Sequence, residues 1–208
     1  MTTAIWVWRD EGAMAIEEAQ LEDVGSGLAP VTPGWYVANA NDAAWVRNDA
    51  FGGRCVFEST RRVLMERPDL EPQIFSQTGF TLAVLEPGKP SGMYHAESTQ
   101  ENFLVLTGTC LLVIEEQERE LRAWDFLHCP ANTRHTFIGT GDRPCVIFMT
   151  GHRRDDRTII YPRSDAALAR HAGVEAATTD PPEAYAPFPP WRLGRPQAWA
   201  ELPWAQPR

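Results

Sequence analysis

Between residues 101 and 149 the chain runs in short apolar bursts separated by turn-forming residues. The bursts predict six strands: Glu101 to Leu106, Thr109 to Ile114, Arg119 to Leu121, Phe126 to Cys129, His135 to Ile138 and Cys145 to Met149. Turns are predicted at Thr107-Gly108, Glu115 to Glu118, Trp124-Asp125, Pro130 to Arg134 and Gly139 to Pro144. Upstream, Trp35 to Ala38, Arg54 to Glu58 and Phe80 to Leu85 form three more β-rich runs bounded by Asn, Asp, Gly and Pro clusters. Many short strands with no long helix between them predict an antiparallel sandwich or barrel over residues 34–162.

The flanks have a different texture. Residues 1–33 read as an acidic arm, because positions 10–23 hold six carboxylates, no base and only Met14, Ile16 and Leu21 as large apolar residues, which suits a short solvated helix or a mobile segment. Residues 163–208 read as a short helix followed by a wrap. Ser164 would cap a two-turn helix to His171, ended by Gly173. Beyond it, residues 181–208 carry eight of the 17 prolines and three of the eight tryptophans, so regular structure is not expected. Trp191, Trp199 and Trp204 would be a liability in water and favour packing against a body.

Composition narrows the functional classes. A hydrophobic share of 43% in 208 residues is enough for one core. Formal net charge is −9, and the basic residues are scattered, with Lys89 the single lysine, so no phosphate-tracking stripe for nucleic acid is expected. No apolar run has the length of a membrane span, and Met1 to Trp8 leads at once into Arg9-Asp10-Glu11 without the pattern of a secretory signal; a cytoplasmic protein is expected. Cys55, Cys110, Cys129 and Cys145 lack CxxC spacing and read as buried core thiols.

The candidate chemistry lies in two stretches. His95 and Glu97 are two apart on an extended segment and share a face, and Glu101 keeps that parity at the head of the next strand. Phe103 and Val105 continue the face, so these groups should look into an apolar interior, where paired carboxylates call for positive charge. In the second stretch, Pro130-Ala131-Asn132 makes a tight turn, with Asn132 suited to positive φ, and delivers His135 onto a strand beside Phe137. His135 can then complete a cage of two histidines and two carboxylates.

These two stretches resemble the motifs of the cupin superfamily. The first motif is G, five residues, HxH, three residues, E, six residues, G, and His95, Glu101 and Gly108 match it; the second is G, five residues, PxG, two residues, H, three residues, N, and Pro130 and His135 match it. Glu97 stands at the second histidine, Gly88 lies one residue too far from His95, Trp124 and Asn132 replace glycines, and Gly139 replaces the final Asn. The resemblance implies an all-β, double-stranded β-helix (jelly-roll) barrel with short N- and C-terminal appendages. It also implies a homodimer.

By the same resemblance, His95, Glu97, Glu101 and His135 would bind one divalent ion, Zn, Fe, Mn or Ni. Glu97 could instead stand outside the shell, paired with an arginine such as Arg134 or acting as general base, leaving a two-histidine, one-carboxylate set. Phe103, Phe137 and Tyr94 are the candidate pocket residues, although ordinary core packing serves both phenylalanines equally, and Tyr94, adjacent to His95, has the opposite parity. His128, His152 and His171 read as solvated, and Lys89 as a loop residue. The function implied is a metal-dependent small-molecule enzyme of dioxygenase or isomerase type. The alternative is a non-catalytic module that holds a sugar or metabolite, with its metal structural or absent.

Overall fold

The runs from Thr81 to Leu85, Cys110 to Ile114 and Cys145 to Met149 are apolar at most successive positions, which is the pattern of strands covered on both faces. In the computed structural model, which describes residues 15–205, they lie in two packed sheets. In chain order the strands are β1 (Leu21–Asp23), β2 (Leu28–Pro30), β3 (Val46–Asn48), β4 (Gly52–Cys55), β5 (Thr78–Leu85), β6 (Ala96–Glu97), β7 (Glu101–Thr107), β8 (Thr109–Ile114), β9 (Gln117–Arg122), β10 (Phe126–Cys129), β11 (His135–Thr140), β12 (Cys145–His152), β13 (Ile159–Ile160) and β14 (Arg192–Leu193). Two short helices, α1 (Asp165–Leu168) and α2 (Pro181–Tyr185), follow β13.

One sheet has the order β10-β7-β12-β5-β4-β3-β14, and the other β11-β8-β9, antiparallel at every pairing. Alternation sends Ala83, Leu85, Phe103, Val105, Ile147, Leu112 and Phe137 into the space between the sheets, where they form the central core with Cys110, Cys129 and Cys145. All four cysteines are free and buried. The architecture is the double-stranded β-helix that the family resemblance implies, within the antiparallel sandwich or barrel expected from the strand pattern.

The opposite faces are also covered. Leu82, Val84 and Val146 pack with Trp45 and Leu202, against which Trp199 and Trp204 close. Trp45 has its ring 5.4 Å from that of Trp199 and 5.5 Å from that of Trp204, so the C-terminal tryptophans fold back on their own chain. Leu111, Val113 and Ile138, on the outer face of the smaller sheet, are covered by Tyr94 and Ala167 of α1.

Several expectations for the flanks need correction. Residues 10–14 of the acidic segment lie outside the described residues; 15–23 form no helix, and β1 pairs with β2 through a turn in which Gly25 and Gly27 take positive φ. Val24 and Ala29 of this hairpin are buried against Ala44, Val46, Val63 and Leu64, so the described part of the arm is packed. Trp35 to Ala38 is not a strand: Trp35 bridges only to Glu18, and the Tyr36 hydroxyl is drawn to the Phe57 carbonyl. Ser164 caps α1 through the Ala167 N–H at 3.2 Å, but the helix stops at Leu168 and the chain reverses at His171 (φ 57°), ahead of Gly173. The proline-rich tail does form a helix, α2, because its prolines fall in the first turn, where their missing N–H groups leave no bond unmade.

Candidate functional site

His95 and His135 are brought together by backbone pairing. Each donates its N–H to the other's carbonyl, at 3.2 and 2.9 Å, forming an isolated antiparallel bridge that extends the smaller sheet. Directly opposed residues put their side chains on one face, and the two imidazole rings sit 5.1 Å apart. Asn132, with φ 68°, makes the left-handed turn expected ahead of His135, and its N–H is held by the Glu97 carbonyl at 2.6 Å. Glu101 enters from the facing sheet at the head of β7, and its Oε2 is 3.7 Å from His135 Nε2. Ligand atoms of His95, Glu101 and His135 all lie within 4.8 Å of one another.

The remaining ring atoms fix the chemistry of this trio. His95 Nδ1 is 2.8 Å from the Met93 carbonyl and His135 Nδ1 is 3.0 Å from the Thr133 carbonyl. A carbonyl can only accept, so both Nδ1 atoms carry the proton and both Nε2 lone pairs stay free. Burial pushes both imidazoles down to about 4, aided at His135 by the neighbouring His95, so both are neutral near pH 7. Burial raises the Glu101 carboxyl, and the nearby Glu97 raises it further. Two free imidazole lone pairs beside a carboxylate that Arg157 and Arg54 influence only at a distance, without an ion pair, suit a divalent ion, with carbonyls orienting the histidines from behind.

Glu97 occupies a different position. Its Oε1 accepts from Arg157 at 2.6 Å and its Oε2 from Thr99 at 3.4 Å, and it is not one of the three clustered residues. The arginine is Arg157, not Arg134, which lies 3.8 Å from Glu115. Pairing of β13 with β6, Ile159 opposite Glu97, carries Arg157 to this place from sixty residues away.

A cavity of about 260 Å³ opens over the trio, with Phe103, Phe137 and Met149 at its apolar side and Arg153 and Arg157 at the other. Phe103 lies 4.9 Å from both His135 and Phe137, ring to ring. Tyr94 does not line it. The opposite parity turns its ring to the outer face of the smaller sheet, where its hydroxyl donates to Glu116 at 3.0 Å. His128 faces outward and contacts Asn102 at 2.8 Å, whereas His152, exposed, reaches the cavity mouth. Lys89 is paired with Glu86, and burial pushes the Cys129 thiol up to about 12, leaving it a core residue.

A second chamber of about 670 Å³ adjoins the first and shares Arg54, His95, Glu97 and Arg157 with it. Its other walls come from Arg62, Tyr161 and the segment from Pro181 to Trp191. None of these residues was marked by motif or spacing. The clustering of aromatic residues and prolines near the C-terminus was the one available signal, and it indicated packing without indicating a cavity.

Residues 81–151 match the family described as Cupin domain. No protein of curated function matches the sequence. Among solved structures, the chain is similar to a cupin-superfamily sugar phosphate isomerase from Silicibacter pomeroyi, at 26% identity over 44% of this chain and 65% of that one, TM-score 0.41; the similarity spans just under two thirds of that protein's length. It is similar at 13% identity to the polyketide cyclase RemF from Streptomyces resistomycificus, over 59% of this chain and 83% of that one, TM-score 0.46. A cupin family protein with a double-stranded β-helix fold from Methanocaldococcus jannaschii is similar at 13% identity, over 39% of this chain and 75% of that one, TM-score 0.36. The family match and the two motif stretches within it identify residues 81–151 as a cupin domain.

Proposed function

We propose that this protein is a metal-dependent enzyme acting on a small molecule, with His95, Glu101 and His135 as the ligands of one divalent ion. The observation that carries the reading is the convergence of two free Nε2 lone pairs and one carboxylate, within 4.8 Å of one another, at the base of an open cavity. Three protein ligands leave coordination positions for substrate, which is how catalytic sites differ from closed four-ligand structural sites. When bound, the ion would supply Lewis acidity to an oxygen-bearing substrate or, if it is iron, a site for dioxygen chemistry.

The chain's own residues support the rest of the reaction. Phe103, Phe137 and Met149 keep water from one side of the site. Glu97, held by Arg157 and facing both chambers, is the carboxylate placed to accept a proton from a bound substrate, and its salt bridge fixes the direction in which it is presented. An isomerase needs such a base. A homodimer belongs to the same reading on the family resemblance alone.

Elemental analysis of protein purified without added metal tests the assignment. About one divalent ion per chain is expected, with less than about a tenth of that in a His95→Ala, His135→Ala double variant that keeps its fold by circular dichroism. Undiminished metal in that variant would remove the trio from the mechanism.

A further inference from the structure

Among the described residues, two arginines of the second chamber lack an ion-paired carboxylate, although the charge of Arg54 is felt at Glu101. Among the described residues, neither Arg54 nor Arg62 makes a salt bridge, whereas Arg61, Arg67, Arg153, Arg154 and Arg157 each do. Both guanidinium groups lie over the ring of Trp191, at 5.0 Å for Arg54 and 5.4 Å for Arg62. Stacking on an aromatic face attracts the cation but supplies no hydrogen-bond acceptor. One Arg54 Nη donates to the Ser91 carbonyl, while its Nε is buried without any partner. A buried charged donor left unmade is costly, and a second cation against the same ring adds to the cost.

The placement of these groups is built into the fold. Gly92 lets the loop before His95 pass close to both Arg54 and Tyr185: an added Cβ there would lie 3.3 Å from an Arg54 Nη and 2.9 Å from the Tyr185 hydroxyl. That hydroxyl accepts the Met93 N–H at 3.1 Å, which ties the wall of the second chamber to the loop that carries His95. Arg54 borders both chambers, so a ligand held by it extends toward His95 and Glu101. Arg62 is exposed at the edge of this chamber, and partial desolvation together with the neighbouring Arg54 lowers its pKa from the ordinary arginine value.

We infer that Arg54 and Arg62, stacked on Trp191, form an oxyanion subsite beside the proposed metal centre, and that the substrate is a small organic anion. Its phosphate or carboxylate group would bind the two guanidiniums while an oxygen-bearing end reaches the His95, Glu101 and His135 trio. The planar donor forks of arginine suit both groups. Arg157 is already neutralised by Glu97, so the anion's charge is met mainly by the two unpaired residues. This inference rests on the preceding reading only for the position of the reacting end.

The probes are inorganic phosphate and malonate, titrated calorimetrically into the full chain at constant ionic strength, once after chelation and once metal-loaded. Saturable binding at one site is expected in both forms. It should weaken at least about tenfold in Arg62→Gln, and likewise in Arg54→Gln if that variant folds, with an Arg192→Gln surface control unchanged. Preference for phosphate assigns a phosphorylated substrate, and preference for malonate a carboxylic acid; either supports the subsite. Absence of saturable binding, or binding that Arg62→Gln leaves intact, overturns it. Metal content is measured on the same samples, so a chain without metal that still binds anion through Arg62 retires the metal reading alone, and a metal-holding chain that binds neither probe retires this one.

Discussion

Residues 81–151 and the segments on either side of them contribute to the molecule in different ways. The central stretch supplies the inner core and the trio of His95, Glu101 and His135. Flanking residues supply the cover and much of the charge: Trp45, Trp199 and Trp204 close the outer face of the larger sheet, and Arg54, Arg62, Arg157 and Trp191 build the second chamber. Groups that could carry a reaction thus come with the motif, while groups that could choose a substrate come from outside it. The flanks are also structural, because Leu82, Val84 and Val146 present an apolar outer face that needs covering.

The comparison can be broken by stability measurements. Phe137 lies between the sheets and Trp45 beneath the C-terminal tryptophans, and both are fully buried. Truncating either to Ala should cost about 3–5 kcal/mol in urea unfolding, through lost transfer energy and the cavity left behind. If Trp45→Ala costs less than about 1 kcal/mol, well under the usual cost of emptying a core site, the flank is an appendage and the two regions are not one cooperative unit.

How much of this was legible in the sequence follows the same division. From Glu101 to Met149 strands and turns follow one another closely, so local pattern located every strand there to within a few residues, and parity placed Phe103, Phe137 and the three clustered groups on one face. The same parity turned Tyr94 away, since neighbouring strand positions face opposite ways. Glu97 was recognised as a possible arginine partner, but Arg157 joins it through the long-range pairing of β13 with β6, which no local rule finds. The second chamber needs residues from positions 48 to 191, and its arginines look like ordinary surface charges until their missing partners can be counted.

Titration sharpens the contrast, because the trio changes charge between about pH 4 and 8 and the arginines do not. In metal-free protein, His95 and His135 have folded-state pKa values depressed from 6.5 to about 4. Their contribution is present above pH 6.5 and is lost as pH falls toward 4, because the unfolded chain then binds the protons. Glu101 acts in the opposite sense: its raised value gives stability below pH 4.5 that is lost as pH rises. Between 4.5 and 6.5 two histidines oppose one carboxylate, so stability should climb by up to about 1.4 kcal/mol per pH unit. Above 6.5 only the carboxylate remains and the slope reverses. Urea melts in the presence of chelator should therefore show a maximum near pH 6.5; a steady rise through pH 8 would show that Glu101 is ionised without help from a cation.

The smallest effect is expected where the chain departs from the motif on the surface. Trp124 replaces the glycine that opens the second motif, yet it keeps a positive φ of 75° and leaves its ring 75% exposed. A left-handed conformation costs a residue with a Cβ roughly 1–2 kcal/mol, whereas glycine adopts it freely but loses more entropy on folding, by roughly 0.5–1 kcal/mol. With little packing to lose, Trp124→Gly should leave stability unchanged or raise it by up to about 1 kcal/mol, without altering metal content. A loss of more than about 1 kcal/mol would exceed what strain and entropy allow and would mean that the ring is covered in solution. If that loss grew with dilution, the cover would be a second copy of the chain, and the motif region would present a further apolar surface that the flanks do not bury.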